Sequence, residues 1–337
     1  MRIMAKIWLT VLLLTLVVGG CRRAPGEAER RLMAIDSLVA VAPDSALALL
    51  ADIDTATLAE PDRAYHALLQ TQAMYKAGIP VDDSTLICRA QRYYADHGPV
   101  DRQIRAMSYR ASVAEDLGDP ELAMRWYKLT ELTAREHGDD YNTAYALMSM
   151  GVLYQANFED SLALVRFRQT VNLIPDSCYY IREYCYYQLS QLYQLRNNGD
   201  SALFFIRSLT ELTHQTNDTM MTAFALSSEA GKWFYDSCYQ KAKDIAVYAI
   251  HHYTEFIPYI CWNYAIQSYA LLGMTDSADH YLNMSPPASN AVDSTQFLHS
   301  KSLICELKKQ WKEAHRFEVM SDSLAEATMW IAERPKL

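Results

Sequence analysis

The most reactive side chains in the sequence do not form any common catalytic pattern. The 337-residue chain contains no H-E-x-x-H zinc pair, no G-x-S-x-G nucleophile turn and no phosphate-binding glycine loop. His251 and His252 are adjacent, but neighbouring residues on a helix point about 100° apart and do not converge on one metal ion. We therefore expect no catalytic residue, no metal and no cofactor, and we expect the two histidines to be solvated or capping near a helix end.

Cysteines are the second reactive group, with seven in the chain. If the chain is exported, as the N-terminal segment described below indicates, an even set of cysteines is compatible with disulfides. A long helical array buries a large core without cross-links, however, and a free cysteine packs as a small apolar group. We favour buried thiols for the six cysteines that follow residue 21, which are Cys88, Cys178, Cys185, Cys238, Cys261 and Cys305.

Composition and charge limit the kinds of structure and partner. Half of the residues are hydrophobic, whereas glycine and proline number only 11 each, which favours helix. The net charge is −9, and no basic run follows the N-terminal segment. This charge pattern argues against nucleic acid as a partner.

Small residues recur in two columns that lie twelve positions apart, with 36 to 40 residues between repeats. Small side chains at such fixed positions mark the point where two antiparallel helices cross closely. The first column comprises Ala34, Ala73, Ala111, Gly151, Ser190, Ala230, Ile266 and Ser302. The second column comprises Ala46, Thr85, Ala123, Ala163, Ala202, Ala242, Ala278 and Ala314.

The fourth of these units resembles the tetratricopeptide repeat, whose pattern is W-x-x-L-G-x-x-Y, then A-x-x-x-F, then P. The matching residues are Leu147, Met150, Gly151, Tyr154, Ala163, Phe167 and Pro175. The resemblance implies an all-α, right-handed superhelical solenoid of about eight helical hairpins, which we place at residues 30–331 with a tail at 332–337. It also implies that Tyr186 and Tyr193, at motif positions of the fifth unit, pack in the core.

Turn residues support the same frame. Gly118-Asp119-Pro120, Asn197 to Asp200 and Ser285-Pro286-Pro287 fall between predicted helices. Asp-Ser pairs recur near the predicted helix starts, and their oxygens are expected to cap the free N–H groups there: Asp44, Asp83, Asp160, Asp200 and Asp276 with the serine that follows each. These Asp-Ser/Thr sites also resemble an O-glycosylation sequon, although capping explains most of them without a sugar.

In the tetratricopeptide family the first helix of each hairpin lines the concave surface. The resemblance places there, as ligand-binding candidates, Tyr145, Met148, Gln155, Tyr184, Tyr187, Gln191, Gln194, Phe234, Asn263 and Gln267. Gln70, Met74, Ser108, Ser112, Val152 and Ser227 extend the same line. This surface is aromatic and rich in amides, with few charges. It is suited to hydrogen-bonding an extended peptide or stacking on a sugar ring; the alternative is that these residues are simply solvated.

The N-terminus has the features of an export signal. Arg2 and Lys6 precede the apolar run from Ile7 to Val18, which is too short to span a bilayer. The run ends at Gly19-Gly20-Cys21, which resembles a bacterial lipobox; an ordinary signal peptide with an incidental cysteine is the alternative. We therefore predict a signal peptide at residues 1–20, palmitate-type lipidation of Cys21, and a short tether to residue 29.

Signal and repeats together resemble exported tetratricopeptide-repeat lipoproteins of Bacteroides-like bacteria, and also the sensor half of regulators that carry transmembrane and DNA-binding parts not seen here. The resemblance implies a non-catalytic, membrane-anchored scaffold or sensor module that binds a protein or peptide. Neither an Asp nor an acidic run follows Cys21, so we expect the outer membrane, facing the periplasm. The alternative is a glycan-binding lipoprotein on a helical-repeat scaffold.

Overall fold

A computed structural model describes the backbone of residues 26–333 and the side chains of residues 26–327. The predicted signal peptide and Cys21 lie outside the described residues. Within these residues the chain forms sixteen helices and no strand: α1 (Glu27–Val39), α2 (Pro43–Ala51), α3 (Glu60–Lys76), α4 (Thr85–Tyr94), α5 (Val100–Asp116), α6 (Pro120–Glu136), α7 (Asp140–Ala156), α8 (Asp160–Leu173), α9 (Tyr179–Leu195), α10 (Gly199–Thr216), α11 (Thr219–Tyr235), α12 (Tyr239–His252), α13 (Tyr259–Leu271), α14 (Thr275–Met284), α15 (Ala291–Leu307) and α16 (Trp311–Glu333). Odd-numbered helices are first helices of hairpins and even-numbered helices are second helices.

The chain divides into two compact units between Trp126 and Tyr127. In the first unit, helices α1 to α4 each pack on the next helix, and the first helices α1, α3 and α5 also contact one another in order. In the second unit, α7 to α16 repeat this arrangement. Contact between successive first helices is the arrangement expected of stacked hairpins. No helix among the described residues combines the length and apolar character that crossing a bilayer requires.

The columns of small residues lie at the helix crossings, with two exceptions. Ala34 is exposed, because α1 buries its other face through Leu32 and Ile35. Thr85 is exposed as well, because a long connection delays the start of α4 to this residue, and Ala90 is the small residue that is buried. In the last hairpin the two columns are in direct contact, since the Ser302 hydroxyl donates to the carbonyl oxygen of Ala314 at 2.9 Å.

The expected capping role of the Asp-Ser pairs is mostly wrong. Asp44, Asp160, Asp200 and Asp276 lie inside the first turn of their helices, where a carboxylate still favours the positive end of the helix dipole. Asp83 is the exception, because its Oδ1 accepts from the backbone N–H of Thr85. The side chains that cap helices elsewhere in the described chain are those of Asp119, Asp139, Asn198, Asp218 and Asn290.

All six cysteines of the described chain are free thiols. Cys185 and Cys261 are buried as expected, and burial raises the pKa of both thiols, that of Cys261 to about 12. The expectation fails for Cys238, which is exposed because it lies in the turn that begins α12. Cys88, Cys178 and Cys305 are half-buried.

Candidate functional site

Three consecutive first helices of the second unit, α11, α13 and α15, form a cleft of about 380 Å³ together with Ser321 of the second helix α16. We call it the first-helix cleft. It brings together three of the predicted ligand-binding residues, which lie far apart in sequence. The lining residues are Phe234, Tyr235, Ile260, Asn263, Tyr264, Gln267, Thr295, Gln296, His299 and Ser321.

Tyr264 forms an aromatic wall of this cleft together with the rings of α11. Its ring centroid lies 5.5 Å from that of Phe234 and 6.1 Å from that of Tyr235. Gly231 permits this packing, because a Cβ at that position would lie only 2.8 Å from Cζ of Tyr264. Burial, and then the neighbouring Tyr235, raise the pKa of the Tyr264 hydroxyl. The tyrosine is therefore neutral.

A chain of hydrogen-bonded side chains joins α13 to α15 along the other wall. Nε2 of Gln267 donates to Oγ of Ser300 at 3.1 Å, and this hydroxyl donates to Oδ1 of Asn263 at 2.9 Å. Nδ2 of Asn263 then donates to Oε1 of Gln296 at 2.8 Å. Asn263 is only 1 % exposed, so its amide holds the two helices in register, whereas the half-buried Gln267 and Gln296 face the cleft.

The first-helix cleft is uncharged. None of its ten lining residues is Lys, Arg, Asp or Glu. Apolar rings combined with a few fixed polar groups are typical of ligand sites. The cleft is therefore suited to a neutral ligand with both apolar and hydrogen-bonding groups.

The other predicted amides of the second unit make contacts between hairpins. Nε2 of Gln191 donates to Oγ of Ser228 at 2.8 Å, and Nε2 of Gln194 donates to the carbonyl oxygen of the same serine at 2.9 Å. Both glutamines thus connect α9 to α11. Gln155, on α7, is half-buried.

The predicted aromatic residues outside the cleft pack against phenylalanines. Tyr184 lies edge-on to Phe167, with ring centroids 6.4 Å apart, and Tyr187 lies 5.0 Å from Phe224. Burial raises the pKa of Tyr187 to about 12. These two tyrosines therefore serve the core at least in part.

Two further predicted residues, on α7, also contribute to the core. Met148 is 7 % exposed and belongs to the hydrophobic cluster that contains Phe167, and the half-buried Tyr145 packs against this cluster.

Tyr186 and Tyr193 pack as predicted. Both lie on Phe205, with ring centroids 5.8 Å and 5.6 Å away. The tetratricopeptide motif therefore places these two tyrosines correctly, but it does not separate them from Tyr184 and Tyr187, which are half-buried as well.

The corresponding face of the first unit carries charges that the sequence interpretation did not include. Arg105 of α5 donates to both carboxylate oxygens of Asp36 on α1, with Nη1–Oδ1 at 2.9 Å and Nη2–Oδ2 at 3.1 Å. The Tyr65 hydroxyl donates to the same carboxylate at 2.6 Å. Ser108 and Ser112, predicted on this face, are buried, while Gln70 and Met74 are half-buried. Arg105 precedes Ser108 by one helical turn, so the same periodicity could have identified it.

The adjacent histidines are placed as expected near the end of α12. Nε2 of His251 lies 3.0 Å from the hydroxyl of Tyr281, and Nδ1 of His252 lies 2.9 Å from the carbonyl oxygen of Tyr248. Both residues are exposed. Among residues 26–333, no group of three or more His, Cys, Asp and Glu side chains is placed to hold a metal ion.

The sequence interpretation missed Gln296 and His299, which line the cleft from α15. His299 lies 36 residues after Asn263, which is the spacing between the last repeats. Extending the predicted line by one repeat would therefore have found it. Gln296 lies one helical turn earlier on α15 and is revealed only by its bond to Asn263.

A larger cleft of about 510 Å³ runs along α10. Its polar side chains include Arg207, Glu211 and His214, which are exposed and carry both signs of charge. Sites that select a ligand hold their polar groups in fixed positions. Because the first-helix cleft has such fixed groups, it is the stronger candidate.

Comparison with known proteins defines the fold. No family model matches the sequence, and no curated protein matches it. Solved structures do match. A Rap protein complexed with Competence and Sporulation Factor is 14% identical with a TM-score of 0.61, and the match covers 89% of this chain and 98% of that one.

Two further structures are similar at the same level. A tetratricopeptide repeat protein from Parabacteroides merdae is 14% identical with a TM-score of 0.56, and the match covers 78% of this chain and 93% of that one. NprR in complex with its cognate peptide NprX is 14% identical with a TM-score of 0.54, over 91% and 90% of the two chains. The predicted fold class, an all-α solenoid of about eight tetratricopeptide-like hairpins, is confirmed.

Proposed function

We propose that this chain is a non-catalytic scaffold or sensor module that binds a protein or peptide partner in the first-helix cleft. The observation that carries the proposal is the cleft itself, where an aromatic wall faces carboxamides held by an inter-helix hydrogen-bond chain. An extended polypeptide offers both side chains for the aromatic wall and amide groups for the carboxamides. Two structures of similar fold are complexes, one with Competence and Sporulation Factor and one with the peptide NprX.

The test is selection of peptides from an immobilised random library by the full chain purified in detergent. The cleft variant combines Tyr235→Ala with His299→Ala, because both side chains are exposed and line the cleft. A matched control combines Tyr248→Ala with His252→Ala, an exposed stacked pair on the second helix α12. We expect enriched peptides to lose about tenfold or more in affinity for the cleft variant only, since aromatic anchors dominate small interfaces.

Three outcomes would contradict the proposal. The first is a library with no enriched peptide. The second is an equal loss of affinity in the cleft variant and in the control. The third is binding to a glycan array that the cleft variant abolishes while peptides are not enriched, which would favour the glycan-binding alternative.

We also propose that lipid on Cys21 anchors the chain in the cell envelope, at the outer membrane and facing the periplasm. The support is the sequence of the N-terminal segment, with an apolar run that ends at Gly19-Gly20-Cys21. Metabolic labelling with a palmitate analogue should mark the wild type and not Cys21→Ser. Membrane fractionation should find the wild type with outer membranes, and equal labelling of both proteins would refute the anchor.

A further inference from the structure

We propose that the first-helix cleft recognises the backbone of its ligand at one residue, with Gln267 accepting from the N–H of that residue and Gln296 donating to its carbonyl oxygen. The inference rests on the proposed function and names the group that this site recognises. It is carried by the direction of the hydrogen bonds that cross the cleft wall.

The polarity of the hydrogen-bond chain determines which atoms remain for a ligand. Gln267 uses Nε2 to donate to Ser300, which leaves its Oε1 as an acceptor. Gln296 uses Oε1 to accept from Asn263, which leaves its NH₂ group as a donor. Within residues 26–327, whose side chains the structure describes, neither of these two groups makes a hydrogen bond to another part of the chain. The oxygen of Gln267 and the nitrogen of Gln296 are therefore the two carboxamide atoms that this chain of hydrogen bonds does not use, and they lie on neighbouring helices that the buried Asn263 holds in register.

One residue of an extended peptide presents the complementary pair, an N–H and a C=O that point to the same side. A charged group fits less well, because the cleft offers no ion partner and burying an unpaired charge is costly. Phe234 and Tyr235 line the same cleft, and the exposed ring of Tyr235 is available to an adjacent apolar side chain. The ligand class is accordingly an uncharged, extended peptide segment.

The first step selects ligands from two libraries of seven-residue peptides, one that contains Lys, Arg, Asp and Glu and one that lacks them. The second step uses one peptide selected in this way. Each amide of that peptide is replaced by an ester, which removes one N–H and leaves a carbonyl. For the full chain we expect one ester to weaken binding about threefold to tenfold, the worth of one neutral hydrogen bond. The uncharged library should supply the tighter ligands.

Two variants separate the two ends of the hydrogen-bond chain. Gln296→Glu still accepts from Asn263 but has no donor for a ligand, so binding should fall about tenfold or more. Gln267→Lys still donates to Ser300 but has no acceptor, so the sensitive ester should cost nothing further in this variant. Gln155→Glu and Gln155→Lys, outside the cleft, control for the added charge and should bind as wild type does.

The outcomes are distinct. Loss of the ester effect in Gln267→Lys supports the inference, because a merely structural role would leave that effect unchanged. An ester effect that persists in Gln267→Lys overturns it, and so does full binding by Gln296→Glu. Selected peptides that depend on an Asn or Gln side chain rather than on any backbone N–H also overturn it, while leaving the proposed function intact. A failure to select any peptide overturns both.

Discussion

Gly151→Ala tests the close helix crossing on which the repeat frame depends. A Cβ at Gly151 would lie 2.8 Å from Cε1 and 3.0 Å from Cζ of Phe167. Carbon atoms normally stay at least about 3.5 Å apart. Phe167 is fully buried, so its ring cannot move into solvent to relieve the contact. The helices α7 and α8 would have to separate, or the ring would have to leave its preferred rotamer.

The magnitude follows from two opposing effects. Overpacking a core by one methyl group costs about 1–3 kcal/mol. Alanine in place of glycine inside a helix returns about 1 kcal/mol through helix propensity. We therefore expect Gly151→Ala to lower the free energy of unfolding by about 1 kcal/mol, measured by urea denaturation and far-ultraviolet circular dichroism.

Phe167→Leu supplies the control background. Removing the ring removes the clash, so Gly151→Ala in the Phe167→Leu protein should raise the free energy of unfolding by up to about 1 kcal/mol. The double-mutant cycle then gives a coupling of about 1–3 kcal/mol between the two positions. A coupling below about 0.5 kcal/mol, the usual limit of additivity for independent sites, would refute the close crossing.

Three further substitutions test other parts of the fold. Burial raises the pKa of Glu183, which is 2 % exposed and accepts from Thr216 at 2.6 Å, so the fold favours its protonated form. The stability that this group contributes falls as pH rises through its pKa in the folded chain. Glu183→Gln should therefore be more stable than wild type at neutral pH, by a margin that shrinks in acid. A denaturation series that gives an equal margin at every pH would contradict this. Arg105→Ala should lower the free energy of unfolding in urea by about 1–3 kcal/mol, because it leaves the partly buried Asp36 carboxylate without its cation. If Arg105→Ala lowers it by the same amount in the Asp36→Asn background, the ion pair is not responsible. Phe158 is 75 % exposed and has a φ of 60°, a left-handed conformation that costs a non-glycine residue about 1–2 kcal/mol. Phe158→Gly should therefore raise the urea midpoint of unfolding, whereas Phe158→Ala should not.

The fold could be predicted because its information is periodic and local. Small residues at the helix crossings recur in two columns twelve positions apart, and this spacing predicts the eight hairpins. The repeat pattern wrongly predicted Ala34 and Thr85 at helix crossings, because a terminal helix and a long connection interrupt the period at these positions. Helix starts were also misplaced, because an Asp-Ser pair is compatible both with a cap and with the first turn.

The site could be predicted only in outline. Periodicity identified the face of each first helix, and Phe234, Asn263 and Gln267 do line one cleft. It could not show which polar groups are already paired. Gln191 and Gln267 each donate through Nε2 to a serine of the next first helix, yet of the two only Gln267 lines the first-helix cleft. Such pairing depends on the distance between neighbouring helices, which the sequence does not specify.

Photo-crosslinking from inside the first-helix cleft tests the central claim most directly. A benzophenone amino acid replaces His299, which lines the cleft, or His252, which lies on α12 and serves as the matched site. Each full-length protein is irradiated with a peptide enriched from the library, and the covalent product is mapped by mass spectrometry. The proposed site predicts a peptide adduct from position 299 and none from position 252. Equal adducts from both positions, or an adduct from 252 alone, would contradict it.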